Sequence, residues 1–191
     1  LGLYRQPDFT ATVGDVTVRA FPTLHDSRAS VGYRFEFGGI SVGYMTDTGC
    51  VTDRMEQMLS GCEAVVLESN HDEQLLLSGP YPYELKLRIR SNRGHLSNRD
   101  AAALAARLAE RGTRHFLLAH LSETNNYPAI AYDETASALA GSGATVAVAE
   151  PRDITMLVGA VGEPVARAGA RMPAAAGGAE RSAASAMGGP L

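Results

Sequence analysis

The chain is organised around Arg93-Gly94-His95-Leu96-Ser97-Asn98 and Leu118-Ala119-His120-Leu121-Ser122-Glu123-Thr124-Asn125-Asn126, two segments in which a histidine stands among small polar residues. Such neighbours are poor core material, but they suit a site where an imidazole meets a metal ion or a phosphate, because short side chains let backbone amides approach an anion. Further polar spots surround His25, Asp47 and Glu68. Together these spots predict a metal-centred hydrolytic site.

Composition limits the class of protein. The 191 residues are 45% hydrophobic, which is enough for one sizeable core. The net charge of −4 argues against a surface coated in positive charge, although a local basic groove remains compatible with it. Cys50 and Cys62 form neither a C-x-x-C pair nor a disulfide framework, which fits a reducing cytosol, so we expect a cytoplasmic protein. No apolar run approaches the roughly 18 residues that span a bilayer, so we expect no membrane partner.

The first part of the chain reads mainly as strands. Alternating apolar residues around Gly14-Asp15 predict a hairpin over 10–21, and Gly38-Gly39 predicts a second hairpin from 31–37 and 40–46. Helical spacing of apolar residues then predicts a helix over 52–59, and a short buried strand follows at 64–67. Asp47 and Glu68 therefore come at the carboxyl ends of strands.

The later part alternates helices and strands. The pattern predicts helices over 81–89, 97–111 and 132–140, and strands over 114–119, 144–149 and 154–158. This alternation predicts an α/β fold with mixed strand order. After about Gly159 the composition turns to Ala, Gly, Pro, Ser and Arg without periodicity, which cannot bury enough apolar surface to fold. We therefore expect one folded domain over 1–158 and a disordered tail over 159–191.

The polar residues that end strands carry the predicted chemistry. Asp47, Glu68 and His120 each terminate a strand, and sites in open α/β sheets form outside the carboxyl ends of the strands. His25 lies in a comparable position after its own strand. Imidazoles and carboxylates are typical ligands for zinc or manganese, and one carboxylate can bridge two ions.

Plainer interpretations of the same residues stay open. His25 and Asp47-Thr48-Gly49 are also compatible with ordinary turns, and Glu68 with a surface ion pair to an arginine. His95 is compatible with a position just before a helix that Ser97 caps. For His71 with Asp72, and for His115, a loop or structural role is the expectation.

The order of the motifs resembles the YycJ/WalJ branch, also called VicX, of the metallo-β-lactamase-fold hydrolases. The resemblance covers roughly residues 10–158. It rests on His25 ahead of Gly32-Tyr33-Arg34, then on Thr46-Asp47-Thr48-Gly49, Leu67-Glu68-Ser69-Asn70-His71-Asp72, Gly94-His95-Leu96-Ser97-Asn98 and Ala119-His120-Leu121-Ser122-Glu123-Thr124-Asn125-Asn126.

The resemblance implies a four-layered αββα sandwich, a site for two divalent metal ions, zinc or manganese, and nuclease activity on DNA. His25 is similar to the metal histidine that follows a His-x-His-x-Asp-His motif, Asp47 to the bridging aspartate, and His120 to the last metal histidine. His95 and Glu68 resemble the pair that ribonuclease Z enzymes place near the scissile phosphate. In that arrangement Glu68 would orient His95, which could protonate the leaving oxygen or hold the phosphate.

One part of the family pattern is absent from the printed sequence. The five histidines are His25, His71, His95, His115 and His120, and none are two positions apart. The missing His-x-His-x-Asp-His would supply three metal ligands and the aspartate that orients the attacking water. We therefore expect the chain to be the C-terminal part of a longer enzyme, which a missing N-terminal half of the fold would complete. By itself it should bind metal weakly and be essentially inactive.

Basic residues surround His95 in this acidic chain, the footprint expected where a phosphodiester backbone lies in a cleft. The cluster consists of Lys86, Arg88, Arg90, Arg93 and Arg99. A solvated helix face whose arginines pair with Glu84 and Asp100 is the alternative. Tyr81 and Tyr83 could stack on bases or pack against the protein.

The sequence supports two functions from different classes. The first is a metal-dependent phosphodiesterase, in particular a DNA exonuclease with nucleic acid as substrate, although RNA or a small ester would suit the same fold. Its predicted phosphate contacts are Arg93, Ser97, Asn98, Ser122 and Asn125. The second is a non-catalytic regulatory domain with a degenerate metal site, which binds nucleic acid or a protein. The sequence leaves the oligomeric state open.

Overall fold

A computed structural model describes residues 8–150, which form seven strands and five helices. The strands are β1 (Phe9–Val13), β2 (Val16–Pro22), β3 (Val31–Phe37), β4 (Ile40–Met45), β5 (Ala64–Glu68), β6 (His115–Ala119) and β7 (Thr145–Val148). The helices are α1 (Asp53–Leu59), α2 (Glu73–Ser78), α3 (Tyr83–Ile89), α4 (Asn98–Glu110) and α5 (Pro128–Ala138). The strand predicted over 154–158 and the tail predicted over 159–191 lie outside the described residues.

All seven strands form one sheet whose spatial order follows the chain, from β1 to β7. The first four strands pair antiparallel, whereas β4 to β7 pair parallel. The α/β class is confirmed, but the predicted mixed strand order was wrong, since it is the strand direction that changes. Tight turns allow antiparallel neighbours, whereas the parallel strands are joined through helical crossovers.

Local sequence explains where the helices begin. The Ser97 hydroxyl accepts a hydrogen bond from the Asp100 amide at 3.1 Å and caps α4, as the sequence predicted. Helix α5 begins four residues before the predicted position, because Pro128 lacks an amide hydrogen and suits the first turn of a helix. Helix α2 was not predicted, and the Asp72 carboxylate caps it by accepting from the Leu75 amide at 2.8 Å.

The hydrophobic core lies between the sheet and one layer of helices. Helices α1 and α4 supply Leu59 and Leu104, which pack in the same buried cluster as Phe116 of β6. On the opposite face of the sheet, large side chains such as Phe35 and Tyr44 are half-buried or exposed. Within residues 8–150 the fold thus comprises one sheet and one helix layer, and no helix there is long and apolar enough to cross a membrane.

The parallel strands β4, β5 and β6 end at one edge of the sheet. Helix α3 leads into the loop that carries His95, and the His95 amide donates to the carbonyl of Ile89 at 2.9 Å. Gly94 is required there, because an added Cβ would come within 2.1 Å of the Ile89 carbonyl oxygen. This edge of the sheet therefore gathers the polar segments that the sequence singled out.

Candidate metal centre

The side chains of Asp47, Glu68, His95 and His120 meet at this edge. One ligand atom from each lies within 4.8 Å of the others. His25 stands beside the group, with its Nε2 3.8 Å from Asp47 Oδ1 and its ring centroid 4.8 Å from that of His95. The structure thus brings together all five residues that the sequence assigned to metal binding and catalysis.

Glu68 is the buried centre of the group, with none of its surface exposed. Its Oε1 accepts hydrogen bonds from Nδ1 of both His95 and His120, each at 2.8 Å. Its Oε2 accepts from the backbone amides of Thr48 at 3.0 Å and Leu96 at 3.3 Å. Burial alone would raise the pKa of Glu68, but the bonds from His120, His95 and Thr48 outweigh it and lower that pKa to about 2. The carboxylate is therefore ionised at neutral pH.

These hydrogen bonds decide which nitrogen of each histidine is available. Because Nδ1 of His95 and of His120 donates to Glu68, the lone pair of each neutral ring lies on Nε2. His25 donates from Nδ1 to the Gly94 carbonyl at 2.8 Å, which leaves its Nε2 in the same state. The bond to Glu68 also raises the pKa of His120, since it favours the charged ring. In the charged ring Nε2 also carries a proton, and a metal ion would compete with that proton for Nε2.

Backbone conformation gives a second, independent sign of a functional site. Asp47 and His120 have φ of 57° and 59°, and they are the non-glycine residues with positive φ in the part of the chain described. Such conformations are costly and persist where surrounding contacts hold them. The Asn70 side-chain amide donates to the His120 carbonyl at 2.9 Å, and the Ser30 hydroxyl to the Asp47 carbonyl at 3.2 Å.

The donor set suits a divalent metal ion. It combines imidazole nitrogens with carboxylate oxygens, the ligands on which zinc and manganese sites are built. A carboxylate that accepts from the other ring nitrogen, as Glu68 does, is the usual outer partner of a metal-bound histidine. His120 and Asp47, together with His25, could therefore hold a divalent ion at this edge.

Beneath the site lies a group that we call the amide cluster, Ser69, Asn98 and Asn126. The Asn98 carbonyl oxygen accepts from the Ser69 hydroxyl at 2.7 Å and from the Asn126 amide at 2.9 Å. Asn126 also donates to the backbone carbonyls of Ser69 and Asn70. All three side chains are almost fully buried, and they tie the loop after β5 to α4 and to the loop after β6.

The predicted phosphate contacts divide into two groups. Ser97, Asn98 and Asn125 are buried within the protein. Ser122 lines the cavity beside the histidines, and its hydroxyl accepts from the Asn125 amide at 3.1 Å. Arg93 is exposed, and its guanidinium donates to the carbonyl of His25 at 3.2 Å. Ser122 and Arg93 are thus the two of this set that remain accessible to a substrate.

Two members of the basic cluster around His95, Lys86 and Arg88, are bound to other groups of the protein. The Lys86 ammonium donates to the carbonyls of Leu77 and Gly79, both at 2.7 Å. Arg88 pairs with Asp26 beside His25, rather than with the predicted Glu84 or Asp100. The hydrogen bond from the Arg88 guanidinium lowers the pKa of Asp26. No sequence pattern predicts this pair, whose members are 62 positions apart.

The two remaining histidines lie outside the cluster. His115 begins β6, and its Nδ1 lies 2.9 Å from the Thr145 hydroxyl. His71 is 2% exposed, and its Nδ1 has no hydrogen-bond partner. Burial lowers the pKa of His71 to about 4, so the ring is neutral at physiological pH.

The family of the chain follows from a match over most of the described fold. A family model described as a beta-lactamase superfamily domain matches residues 5–121. The chain belongs to the metallo-β-lactamase superfamily. This confirms the resemblance that the motifs around Asp47, Glu68, His95 and His120 indicated.

Two proteins with similar sequences are named exodeoxyribonucleases. The chain is 42% identical over 120 residues to exodeoxyribonuclease YycJ of Bacillus anthracis, covering 63% of this chain and 46% of that protein. It is 38% identical over 139 residues to exodeoxyribonuclease WalJ of Streptococcus pneumoniae, covering 73% of this chain and 52% of that protein. The chain thus spans about half the length of the relatives it matches.

Solved structures support the fold. The metallo-β-lactamase fold protein YhfI from Bacillus subtilis aligns with a TM-score of 0.58 at 20% identity, covering 78% of this chain and 53% of that one. Zinc-bound PqqB from Methylobacterium extorquens aligns with a TM-score of 0.51 at 22% identity, covering 75% and 49%. These two likenesses concern the fold alone.

Proposed function

We propose that this chain contributes to a metal-dependent phosphodiesterase that acts as an exonuclease on DNA. The observation that carries the proposal is the Glu68 carboxylate, which holds His95 and His120 beside Asp47 at the carboxyl edge of the sheet. Relatives at 38% to 42% identity are named exodeoxyribonucleases, which supports the choice of substrate. Two free cysteines fit a reducing compartment, and we propose a cytoplasmic enzyme.

The proposed ligands are His25, Asp47 and His120, in a site that takes two zinc or manganese ions when complete. Bound ions of this kind lower the pKa of a coordinated water and stabilise charge that develops on a phosphoryl group. The ligands are held before any ion arrives, because Glu68 and the Gly94 carbonyl already fix the rings of His120 and His25. Such pre-organisation reduces the cost of binding.

His95 is the proposed acid or phosphate-holding residue. Its Nδ1 is bound to Glu68, so Nε2 is the atom that faces a substrate. A protonated Nε2 can give its proton to the leaving oxygen, and the ionised Glu68 stabilises the charged ring until it does. We propose Ser122 and Arg93 as phosphate contacts, while Ser97, Asn98 and Asn125 act by fixing the loops on which the site stands.

Hydrolysis of end-labelled DNA in the presence of Mn²⁺ tests this function. The assay compares the given chain with a version that includes any coding sequence upstream, and each with His95→Ala and with the matched control His115→Ala. We expect His95→Ala to lower the rate of the active version by about 100-fold, the usual scale for a lost general acid, and His115→Ala to leave it within threefold. DNA binding without hydrolysis in every version would instead favour the non-catalytic binding domain.

A further inference from the structure

A cavity of about 360 Å³ opens directly beside the candidate metal centre. The residues that line it include His95 and His120 and, from α3 and the segment before it, Tyr81, Leu85, Arg88 and Ile89. Any group that occupies the cavity would therefore lie next to a phosphate held at these histidines. The proposed phosphodiesterase function does not by itself say what this space accepts.

One wall of the cavity, from α3 and the segment before it, carries the half-buried side chains of Tyr81, Leu85 and Ile89. Leu121 adds a further apolar group, while Asn70, Ser122 and the Asp26–Arg88 pair add polar and charged groups to the lining. Apolar side chains with polar groups beside them suit a flat heterocycle, since the faces of such a ring are apolar and its edges form hydrogen bonds. Aromatic side chains bind nucleobases by stacking, whatever the base.

The wall is fixed rather than loosely placed. Lys86 ties the start of α3 to the end of α2 through the carbonyls of Leu77 and Gly79. Arg88 pairs with Asp26 in the loop that carries His25. A fixed wall pays little entropy when a ligand binds, so the surface is suited to recognition.

We propose that this cavity is the subsite for one unpaired nucleobase at the end of a DNA strand, an inference that rests on the proposed phosphodiesterase function. A volume of about 360 Å³ lies at the lower end of the range for small-molecule pockets and suits one nucleoside. A single-stranded end presents such a base directly, whereas a paired end must first separate from its partner strand.

Calorimetric titration of two small probes tests the subsite. Deoxyadenosine 5′-monophosphate carries the base, 2-deoxyribose 5-phosphate lacks it, and both are titrated into the given chain with and without Zn²⁺. We expect the nucleotide to bind about tenfold more tightly, which corresponds to about 1.4 kcal/mol. Tyr81→Ala should remove this preference, whereas Tyr81→Phe, which keeps the ring, should retain it.

Tyr83→Ala is the matched control, because Tyr83 is two positions away, 70% exposed and not part of the cavity wall. Melting temperatures of all variants show whether each remains folded. Equal binding of both probes to the unmodified chain, or the same loss of preference in Tyr81→Ala and Tyr83→Ala, overturns the base subsite and leaves the phosphodiesterase proposal standing. Binding of neither probe would count against both.

Discussion

Two sets of polar side chains lie at the same edge of the sheet and differ in what they leave available. The histidine set, His25, His95 and His120, borders an open cavity, and Nδ1 of each ring is hydrogen-bonded within the protein. Nε2 of each ring is the nitrogen left for a ligand, with that of His25 3.4 Å from Asp26 Oδ1. The amide cluster defined above is almost fully buried, and its amide donors are bound within the protein. The side chains available for chemistry thus lie near the surface, whereas those that support the loops lie deeper in the protein.

Glu68→Gln should produce the largest effect, because it replaces the buried carboxylate that accepts from two histidine rings and two backbone amides. The neutral amide cannot hold two histidines as the carboxylate does, so we expect metal affinity to fall about 10- to 100-fold. Loss of a buried charge that accepts four hydrogen bonds should also lower the free energy of unfolding by about 3 kcal/mol. Chemical denaturation and metal titration measure the two effects.

Glu63→Gln provides the control for that change, since Glu63 precedes the same strand but is exposed. We expect it to alter neither quantity measurably. If Glu68→Gln bound metal as tightly as the unmodified chain, Glu68 would not be the group that holds the histidine rings for a metal ion.

Acidification should weaken the fold through His71, a buried residue near both sets. Because burial lowers its pKa from about 6.5 in the unfolded chain to about 4, the unfolded state binds the proton first as the pH falls. The free energy of unfolding should therefore decrease from about pH 6.5 downwards, by about 3 kcal/mol at pH 4. Denaturation curves of the unmodified chain and His71→Gln across this range measure the contribution.

Other groups titrate differently, which makes the comparison specific. Because the pKa of His120 is raised, its protonated ring stabilises the fold fully below about pH 6.5. This stabilisation is lost as the pH rises through the raised pKa. The lowered pKa of Glu68 matters only below about pH 4.5. A pH dependence between 6.5 and 4 that is identical in His71→Gln would show that His71 is not its source.

Asn126→Ala should have a smaller effect, confined to stability. It removes the acceptor of the Asn98 side-chain amide and the Asn126 donor to the Ser69 carbonyl, whereas the Asn98 oxygen keeps the Ser69 hydroxyl and the Asn70 carbonyl keeps the Ser122 amide. We therefore expect the free energy of unfolding to fall by about 2 kcal/mol. Metal affinity of the folded variant should stay within about threefold, because Glu68 still holds the rings. Thr124→Ala, at an exposed position of the same loop, should change neither. A large loss of metal affinity with unchanged stability would reverse the roles that we assign.

The sequence predicted which residues form the site, but not the hydrogen bonds between them or their burial. Asp47, Glu68 and His120 were predictable because each follows a short apolar run, and the ends of parallel strands meet at one edge. The sharing of Glu68 between two histidines was not, since it depends on side chains 27 and 52 positions apart. The burial of Asn98 and Asn125 was also missed, because polar residues near a site look the same in sequence whether they face the substrate or support a loop.

In the fold, too, features set by local sequence were predicted, and features set by contacts between distant segments were missed. Hairpins β1–β2 and β3–β4 were predicted from alternation and glycine turns, which are local signals. Helix α2 is six residues long, too short to show a helical period, and α5 begins at a proline rather than at an apolar residue. The order of strands depends on contacts between distant segments, which local patterns do not encode.

Titration of the 191-residue chain with Zn²⁺ against a competing chelator, with elemental analysis of the loaded protein, tests the metal centre most directly. We expect about one ion per chain, held more weakly than in a site completed by a His-x-His-x-Asp-His motif, and a further loss of affinity of at least tenfold in Asp47→Asn and His120→Ala but not in His115→Ala. The absence of bound metal, or equal affinity in all four proteins, would contradict the claim that this edge of the sheet is a metal centre.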